Sequence, residues 1–216
     1  MGQETNLHYS ESYFNWQSQI GLFGGKANKS KFQPYIKPTD FVIDFGAGGG
    51  FLIEQIDCSK KFGVEINPSA RSSAEKRGVP MKSGLDQLET SSVDVAISNH
   101  ALEHVDSPLE ILKEIHRVLK PGGKAVFVVP CEAISYAYQP NDINYHLFTW
   151  SPMNLGNLFH RAGFEVIESK PYMHKWPPHF QKIQKIVGWT LFHRICRIWS
   201  RIDRVSFQVR CVAQKK

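Results

Sequence analysis

The stretch "VIDFGAGGGF", residues 42–51, is an apolar run that ends in an acid and continues into a turn made almost entirely of glycine. The segment after it, "FLIEQI", has a helical pattern, so the whole predicts a strand, a tight turn and a helix. A turn of glycines lets a ligand approach the backbone, because no side chain stands between them. The stretch therefore predicts a ligand-binding turn after the first strand of a sheet.

The spacing of the glycines narrows the class of ligand. The fingerprint of dinucleotide-binding folds is Gly-x-Gly-x-x-Gly, and Phe51 stands where its third glycine is required. Asp44 would repel a pyrophosphate and attract a cation. Glu65 ends the second predicted strand, where such sheets place the carboxylate that binds both ribose hydroxyls. A ribose next to a positive, phosphate-free group points to S-adenosylmethionine and disfavours a nicotinamide cofactor.

From about residue 40 to 130, short β-rich runs alternate with helical patterns, which predicts a parallel sheet. The 216 residues, 42% of them hydrophobic, suffice for the core of one domain. The four cysteines are scattered, which argues against a disulfide framework or a thiol metal site. The N-terminus lacks the pattern of a signal peptide, and no apolar run is long enough to span a bilayer. We therefore predict a cytoplasmic protein.

Four features in order resemble a known family: residues 44–50, Glu65, "SNHALEHV" and "RVLKPGGKAVFVVP". Together they are similar to class I S-adenosylmethionine-dependent methyltransferases of the type 11 group, to which ubiquinone and menaquinone methylases belong. The resemblance covers residues 35–170 and a last strand at 206–213. It implies an α/β, Rossmann-like, doubly wound sheet of seven strands in the order 3-2-1-4-5-7-6, with strand 7 antiparallel and S-adenosylmethionine as cofactor.

The resemblance also implies a set of cofactor-binding residues. They are Asp44, Gly46 and Gly48 beside the methionine moiety, Glu65 on the ribose, Ile66, Gly84 and Leu85 beside the adenine, and Asn99 near the sulfonium. Many relatives carry an acid directly after the third strand for the adenine amino group. Here only Asp86 is available, and it is shifted along the chain.

A group of histidines follows the fourth predicted strand. His100, Glu103 and His104 share one face if the segment is helical, and His146 is placed to reach the same cleft. Related enzymes with Glu-x-x-Glu-His here bind magnesium, but His100 replaces the first acid and magnesium prefers oxygen. We predict no metal, with Glu103 and His104 orienting the loop. His100 and His146 are the predicted catalytic bases, since imidazole suits proton abstraction.

The resemblance and the distribution of charge together give four segments. The resemblance implies an N-terminal helical lid over the cofactor (1–35), the methyltransferase core (36–173) and its closing strand (205–216), and the charge marks a basic amphipathic helical insertion (174–204). The formal net charge of +6 is carried by the insertion. Three interpretations of its helix remain open: docking with a solvated basic face, contact with an anionic membrane through residues 176–204, and nucleic-acid binding, which the lack of an RNA-binding module disfavours.

The predicted function is methyl transfer from S-adenosylmethionine to a hydroxyl group of a small molecule, a glycan or a lipid-linked precursor. Nitrogen and carbon acceptors are less favoured, because the histidines would serve a hydroxyl acceptor most. One alternative is a metal-assisted RNA 2′-O-methyltransferase. The other is a non-catalytic scaffold subunit that binds the cofactor without turnover.

Overall fold

A computed structural model describes residues 11–140, 142, 144–202 and 206–216, and within these the side chains outside 11–19 and 206. Residues 1–10, part of the predicted lid, lie outside the described residues. The strands are β1 Phe41–Phe45, β2 Lys60–Val64, β3 Met81–Lys82, β4 Val93–Asn99, β5 Leu119–Glu132, β6 Glu165–Pro171 and β7 Ser206–Gln214. The helices are α1 Glu11–Phe32, α2 Phe51–Gln55, α3 Pro68–Lys76, α4 Pro108–Val118, α5 Pro152–Arg161 and α6 Phe180–Ile202.

The seven strands form one sheet in the order β3-β2-β1-β4-β5-β7-β6. The pairs from β3 to β5 are parallel, and β7 runs antiparallel to both of its neighbours, β5 and β6. The predicted fold class, strand order and antiparallel strand 7 are thereby confirmed. Because β1, β2, β4 and β5 are parallel, their carboxyl ends meet at one edge of the sheet, where such folds bind ligands.

Helices cover both faces of the sheet, and β1 shows how the sequence divides between them. Successive residues of a strand point to opposite faces, so Ile43 and Val42 enter different cores. The core that contains Ile43 includes residues of α4 and α5, namely Leu112, Ile115, Leu155 and Phe159. The core that contains Val42 includes residues of α1, α2 and α3, namely Phe32, Leu52, Ile53 and Ala74. Burial on both faces makes the central strands a rigid support for the residues at their ends.

The basic segment forms a broken helix on the α1 side of the molecule. Within α6, Gly188 has φ 72° and ψ 173°, a conformation that divides the helix and that residues with a Cβ rarely adopt. The second half docks through Phe192, whose ring contacts Phe23 of α1 with centroids 5.7 Å apart. No helix in the described part of the chain combines the length and apolarity that crossing a membrane would need.

Candidate functional site

A cleft of about 520 Å³ opens at the carboxyl ends of β1, β4 and β5. Six of the predicted site residues line it: Asp44, Gly46, Gly48, Asn99, His100 and His146. Glu65, Ile66, Gly84 and Leu85 lie outside its lining; the Leu85 side chain belongs to the hydrophobic core, and Ile66 is 65% exposed. A larger depression of about 750 Å³ lies between α5 and β6 at the edge of the sheet, away from the glycine turn.

The glycine turn is held close to its neighbours by its backbone. Gly46 and Ala47 both donate backbone hydrogen bonds to the carbonyl of Val64, at 2.9 and 3.1 Å, which ties the turn to the end of β2. Gly46 has φ 69°, in the left-handed region, and a Cβ at this position would collide with the Cβ of Ala101. The turn therefore requires glycine for both its conformation and its packing. It presents bare backbone to the cleft.

Glu65 links the second strand to this turn. Its Oε2 accepts a hydrogen bond from the backbone of Gly48 and its Oε1 one from the backbone of Asn67, each 2.8 Å long. Every carboxylate oxygen has two acceptor sites, so both oxygens can still accept from a ligand. A pair of neighbouring hydroxyl groups, as on a ribose, fits such an acceptor.

Asp44 lies at the bottom of the cleft and is only 2% exposed. Burial raises the pKa of its carboxyl well above the usual range, and the negative charge of Glu65 raises it further. Its carboxylate forms no hydrogen bond or ion pair within the described part of the chain. A cation bound beside Asp44 would supply the missing partner and favour the ionised form. The residue thus fits a ligand that carries an ammonium or sulfonium group.

Asn99 is held from behind by a buried lysine. Lys31 of α1 donates hydrogen bonds to Oδ1 of Asn99 at 2.9 Å and to Oε1 of Gln208 at 3.0 Å. Burial lowers the pKa of Lys31 to about 7. The bond to Oδ1 fixes the orientation of the amide, whose nitrogen forms no bond to Lys31 and can donate to a ligand in the cleft. The sequence carried no signal for Lys31, because a lysine on a helix is normally solvated.

Glu103 is the centre of the histidine cluster. It lies in a 3₁₀ turn, Leu102–His104, rather than an α-helix, and is fully buried. Its Oε1 is 3.4 Å from Nδ1 of His100, and 3.9 Å from Nε2 of both His104 and His146. Neither carboxylate oxygen has a hydrogen-bond partner among the described residues. Burial raises the pKa of Glu103, but His100 and His104 outweigh it and leave the pKa below its usual value.

His146 is fixed between two carboxylates. Its Nδ1 lies 2.7 Å from Oε1 of Glu132, the last residue of β5. A carboxylate only accepts, so Nδ1 donates and Nε2 is left as the acceptor of the neutral ring. The loop that carries His146 is anchored by a 2.9 Å hydrogen bond from the backbone of Leu147 to the carbonyl of Glu103. Glu132 was missed in the sequence, although its position at a strand end beside β4 was a usable signal.

The chain matches a family model described as a methyltransferase domain over residues 25–169. This stretch contains the end of α1 and every cleft residue from Gly25 to His146, whereas the cleft residues of α1 before Gly25 and those after β6 lie outside it. The match is therefore to the part of the chain that builds most of the site.

Individual relatives are distant. The chain is 25% identical to a sarcosine/dimethylglycine N-methyltransferase of Halorhodospira halochloris, over 72% of this chain and 62% of the relative. It is also 25% identical to a ubiquinone biosynthesis O-methyltransferase of Ruegeria pomeroyi, over 61% of this chain and 62% of the relative. The chain thus spans about three fifths of the length of these two relatives. A solved S-adenosylmethionine-dependent methyltransferase of Archaeoglobus fulgidus superposes with a TM-score of 0.66 at 20% identity, covering 94% of this chain and 99% of the other.

Proposed function

The chain belongs to the methyltransferase-domain family, in the class I, type 11-like group of S-adenosylmethionine-dependent enzymes, and on that premise we propose that it methylates a hydroxyl group. The acceptor in this proposal is a small molecule, a glycan or a lipid-linked precursor. The family predicted from the four sequence features is confirmed by the match. The relatives named above act on different atoms, nitrogen in one and oxygen in the other by their names, so the acceptor is argued from the cleft itself.

The residues of the cleft fit S-adenosylmethionine, the cofactor of the family. Asp44 offers a buried carboxylate to its cationic part, Glu65 offers two acceptors to its ribose, and the turn at Gly46 and Gly48 offers bare backbone. Gly84, Leu85 and Ile66 remain proposed adenine contacts. When bound, the cofactor supplies a methyl group that is already activated. The protein then has to orient the acceptor, exclude water and accept a proton.

His146 is the proposed base, and its 2.7 Å contact with Glu132 is the observation that carries the proposal. Glu132 holds the ring so that Nε2 can accept a proton from a hydroxyl group, and the carboxylate stabilises the imidazolium that results. His100, which also lines the cleft, is the second proposed base. An amine acceptor can be methylated with less help from a base, so the pairing of His146 with Glu132 favours an oxygen acceptor.

The proposal is tested by measuring release of S-adenosylhomocysteine with a panel of hydroxyl-bearing acceptors: catechols, glycosides and polyprenyl phenols. We expect turnover with one class, and a loss of about 100-fold in kcat for His146→Gln, the size of a typical general-base contribution. Glu132→Gln should lower kcat, because the ring of His146 then loses the carboxylate that orients it. His160→Gln, the same change at an exposed position of α5, is the control. Full activity of His146→Gln on a hydroxyl acceptor would rule out the assigned base.

One observation favours a second role for the same cluster. Glu103, His104 and His146 each offer a ligand atom, and these atoms lie within 4.8 Å of one another. Two imidazoles and a carboxylate suit a transition metal or zinc better than magnesium. In this alternative the cluster assists methylation of an RNA 2′-hydroxyl through a metal. Activity on RNA that is lost with EDTA and restored by a divalent metal would favour it, whereas EDTA leaves the base mechanism unaffected.

The remaining parts of the proposal concern organisation. Residues 1–35 act as a lid, 36–173 and 205–216 form the catalytic core, and 174–204 form an insertion. A scaffold subunit would bind S-adenosylhomocysteine but turn over no acceptor. The cluster of base and carboxylates, which binding alone does not require, argues against that alternative.

A further inference from the structure

The outward face of α6 carries two stripes side by side beyond the break at Gly188. The first consists of Arg194, Arg197 and Arg201, all exposed. The second consists of Leu191, Ile198 and Ile202, whose exposed fractions are 47%, 58% and 68%. At 3.6 residues per turn, each set forms one row along the helix, and the two rows are neighbours. An apolar row and a basic row thus share one solvent-facing surface.

A third row attaches α6 to the protein. Phe192, Cys196 and Ser200 are buried, and Phe192 contacts both Phe23 and Trp189. The exposed aliphatic residues therefore contribute little to docking. Single exposed aliphatic residues are normal on protein surfaces, but a continuous row beside arginines is typical of helices that lie in a membrane interface. The structure thus separates the docking face from a face with another use.

The chemistry of this face selects its partner. The helix contains no acidic residue between Phe180 and Ile202, and none of its exposed basic residues forms an ion pair with another described residue. The exposed apolar side chains are aliphatic, whereas single-stranded nucleic acids are bound by aromatic rings that stack on bases. Trp189 is not available for stacking, because it packs inward against Phe23 with ring centroids 5.3 Å apart.

We infer that α6 lies on the surface of an anionic lipid bilayer. Its arginines contact the lipid phosphates, and Leu191, Ile198 and Ile202 enter the boundary between headgroups and acyl chains. The exposed Lys182, Lys185 and Ile186 of the first half extend the same type of surface before the break at Gly188. The inference does not depend on the proposed function, because binding to lipid requires no methyl transfer.

The helix starts at the rim of the cleft. Trp176 lines the cleft and contacts Phe180, the first residue of α6, with ring centroids 5.0 Å apart, and it also contacts Phe23 of α1. A bilayer against α6 would therefore lie beside the cleft entrance. This favours an acceptor that resides at the membrane surface, a consequence that does rest on the proposed function.

The test is co-sedimentation of the full chain with vesicles of phosphatidylcholine alone and of phosphatidylcholine mixed with phosphatidylglycerol. We expect binding only to the mixed vesicles, weakened by salt. The triple variant Arg194→Gln, Arg197→Gln, Arg201→Gln should bind on the order of a hundredfold more weakly. Ile198→Ser with Ile202→Ser should also weaken binding. The control variant, Lys76→Gln, Lys113→Gln, Arg161→Gln, removes the same charge from α3, α4 and α5 and should bind as the wild type does.

Three results would overturn the inference. The first is that the wild-type protein does not sediment with the mixed vesicles. The second is that the control variant weakens binding as much as the arginine variant does. The third is that the wild-type protein binds RNA but not the vesicles. All substituted residues on α6 are exposed, so circular dichroism of the variants should match the wild type. Titration of the wild type with S-adenosylhomocysteine separates the two proposals: a wild type that binds the cofactor but does not sediment with the mixed vesicles refutes only the membrane surface.

Discussion

The substitution Glu65→Ala tests how the end of β2 prepares the cleft. The carboxylate of Glu65 accepts two backbone hydrogen bonds of 2.8 Å, from Gly48 and Asn67, and in the proposed complex it also accepts two from the ribose. Hydrogen bonds to a charged group contribute about 1.5–3 kcal/mol each. Water can reach the partly buried backbone donors after the substitution, so the free energy of unfolding should fall by about 1 kcal/mol or less. In the variant, water also accepts hydrogen bonds from the ribose hydroxyls and replaces part of the lost interaction. We therefore expect binding to weaken by about 2–3 kcal/mol, roughly 30- to 150-fold in affinity.

The assay is calorimetric titration with S-adenosylhomocysteine, accompanied by urea unfolding of the same samples. Glu75→Ala is the matched control, because it makes the same chemical change at an exposed position of α3 in the same strand–helix unit. Unchanged affinity in Glu65→Ala would refute the ribose assignment. A loss of stability of several kcal/mol would show instead that the carboxylate serves the fold rather than the ligand.

Three further predictions follow from the same region. Burial, and then Glu65, raise the pKa of Asp44, so affinity for S-adenosylhomocysteine should increase as the pH rises through that pKa and then level off. Asp44→Asn should make the affinity independent of pH over this range. A flat profile for the wild type would contradict the argument. Gly46→Ala should abolish cofactor binding and destabilise the fold by more than Gly78→Ala does. Gly78 has φ 80° but no atom near its Cβ, so Gly78→Ala should lower the free energy of unfolding by only about 1 kcal/mol. Equal losses of stability in the two variants would refute the packing argument. Burial lowers the pKa of Lys31 from 10.5 to about 7. The cost of burying its charged ammonium group therefore lowers the stability of the fold in full below about pH 7, and this cost disappears as the pH rises toward 10.5. The stability of the wild type should therefore increase over that range relative to Lys31→Met, and parallel curves from urea unfolding would exclude the effect.

The fold was predictable because its decisive signals are local. The glycine turn, the acid at the end of β2 and the alternation of strands with helices each depend on a few adjacent residues. Together they correspond to one known topology, and the observed order agrees with it. The resemblance placed Asp44 and Asn99 at the cofactor, and His100 and His146 were expected in the same cleft. The carboxyl ends of the parallel strands converge and bring these four residues together.

The parts that were missed depend on contacts between distant segments. Lys31 meets Asn99 across 68 positions, and its burial follows from how α1 crosses the sheet, which no local pattern reveals. Glu132 became a partner of His146 only because the following loop folds back on β5. The amphipathic pattern of residues 174–204 did not show which side chains of α6 are buried. The helix is divided at Gly188, and beyond it Phe192 is buried while Ile198 and Ile202 are exposed.

The position of β7 has a consequence for the order in which this molecule can be assembled during translation. β7 follows β6 in the chain but lies between β5 and β6, and it pairs with β5 from Lys124 to Glu132. While the ribosome is still synthesising α6, the edge of β5 is open and β6 has no neighbour. An unpaired strand edge is prone to association with other chains, so this interval is the vulnerable stage of biogenesis. A substitution that slows the docking of β7 would therefore reduce the yield of native protein even where the stability of the finished fold is unchanged.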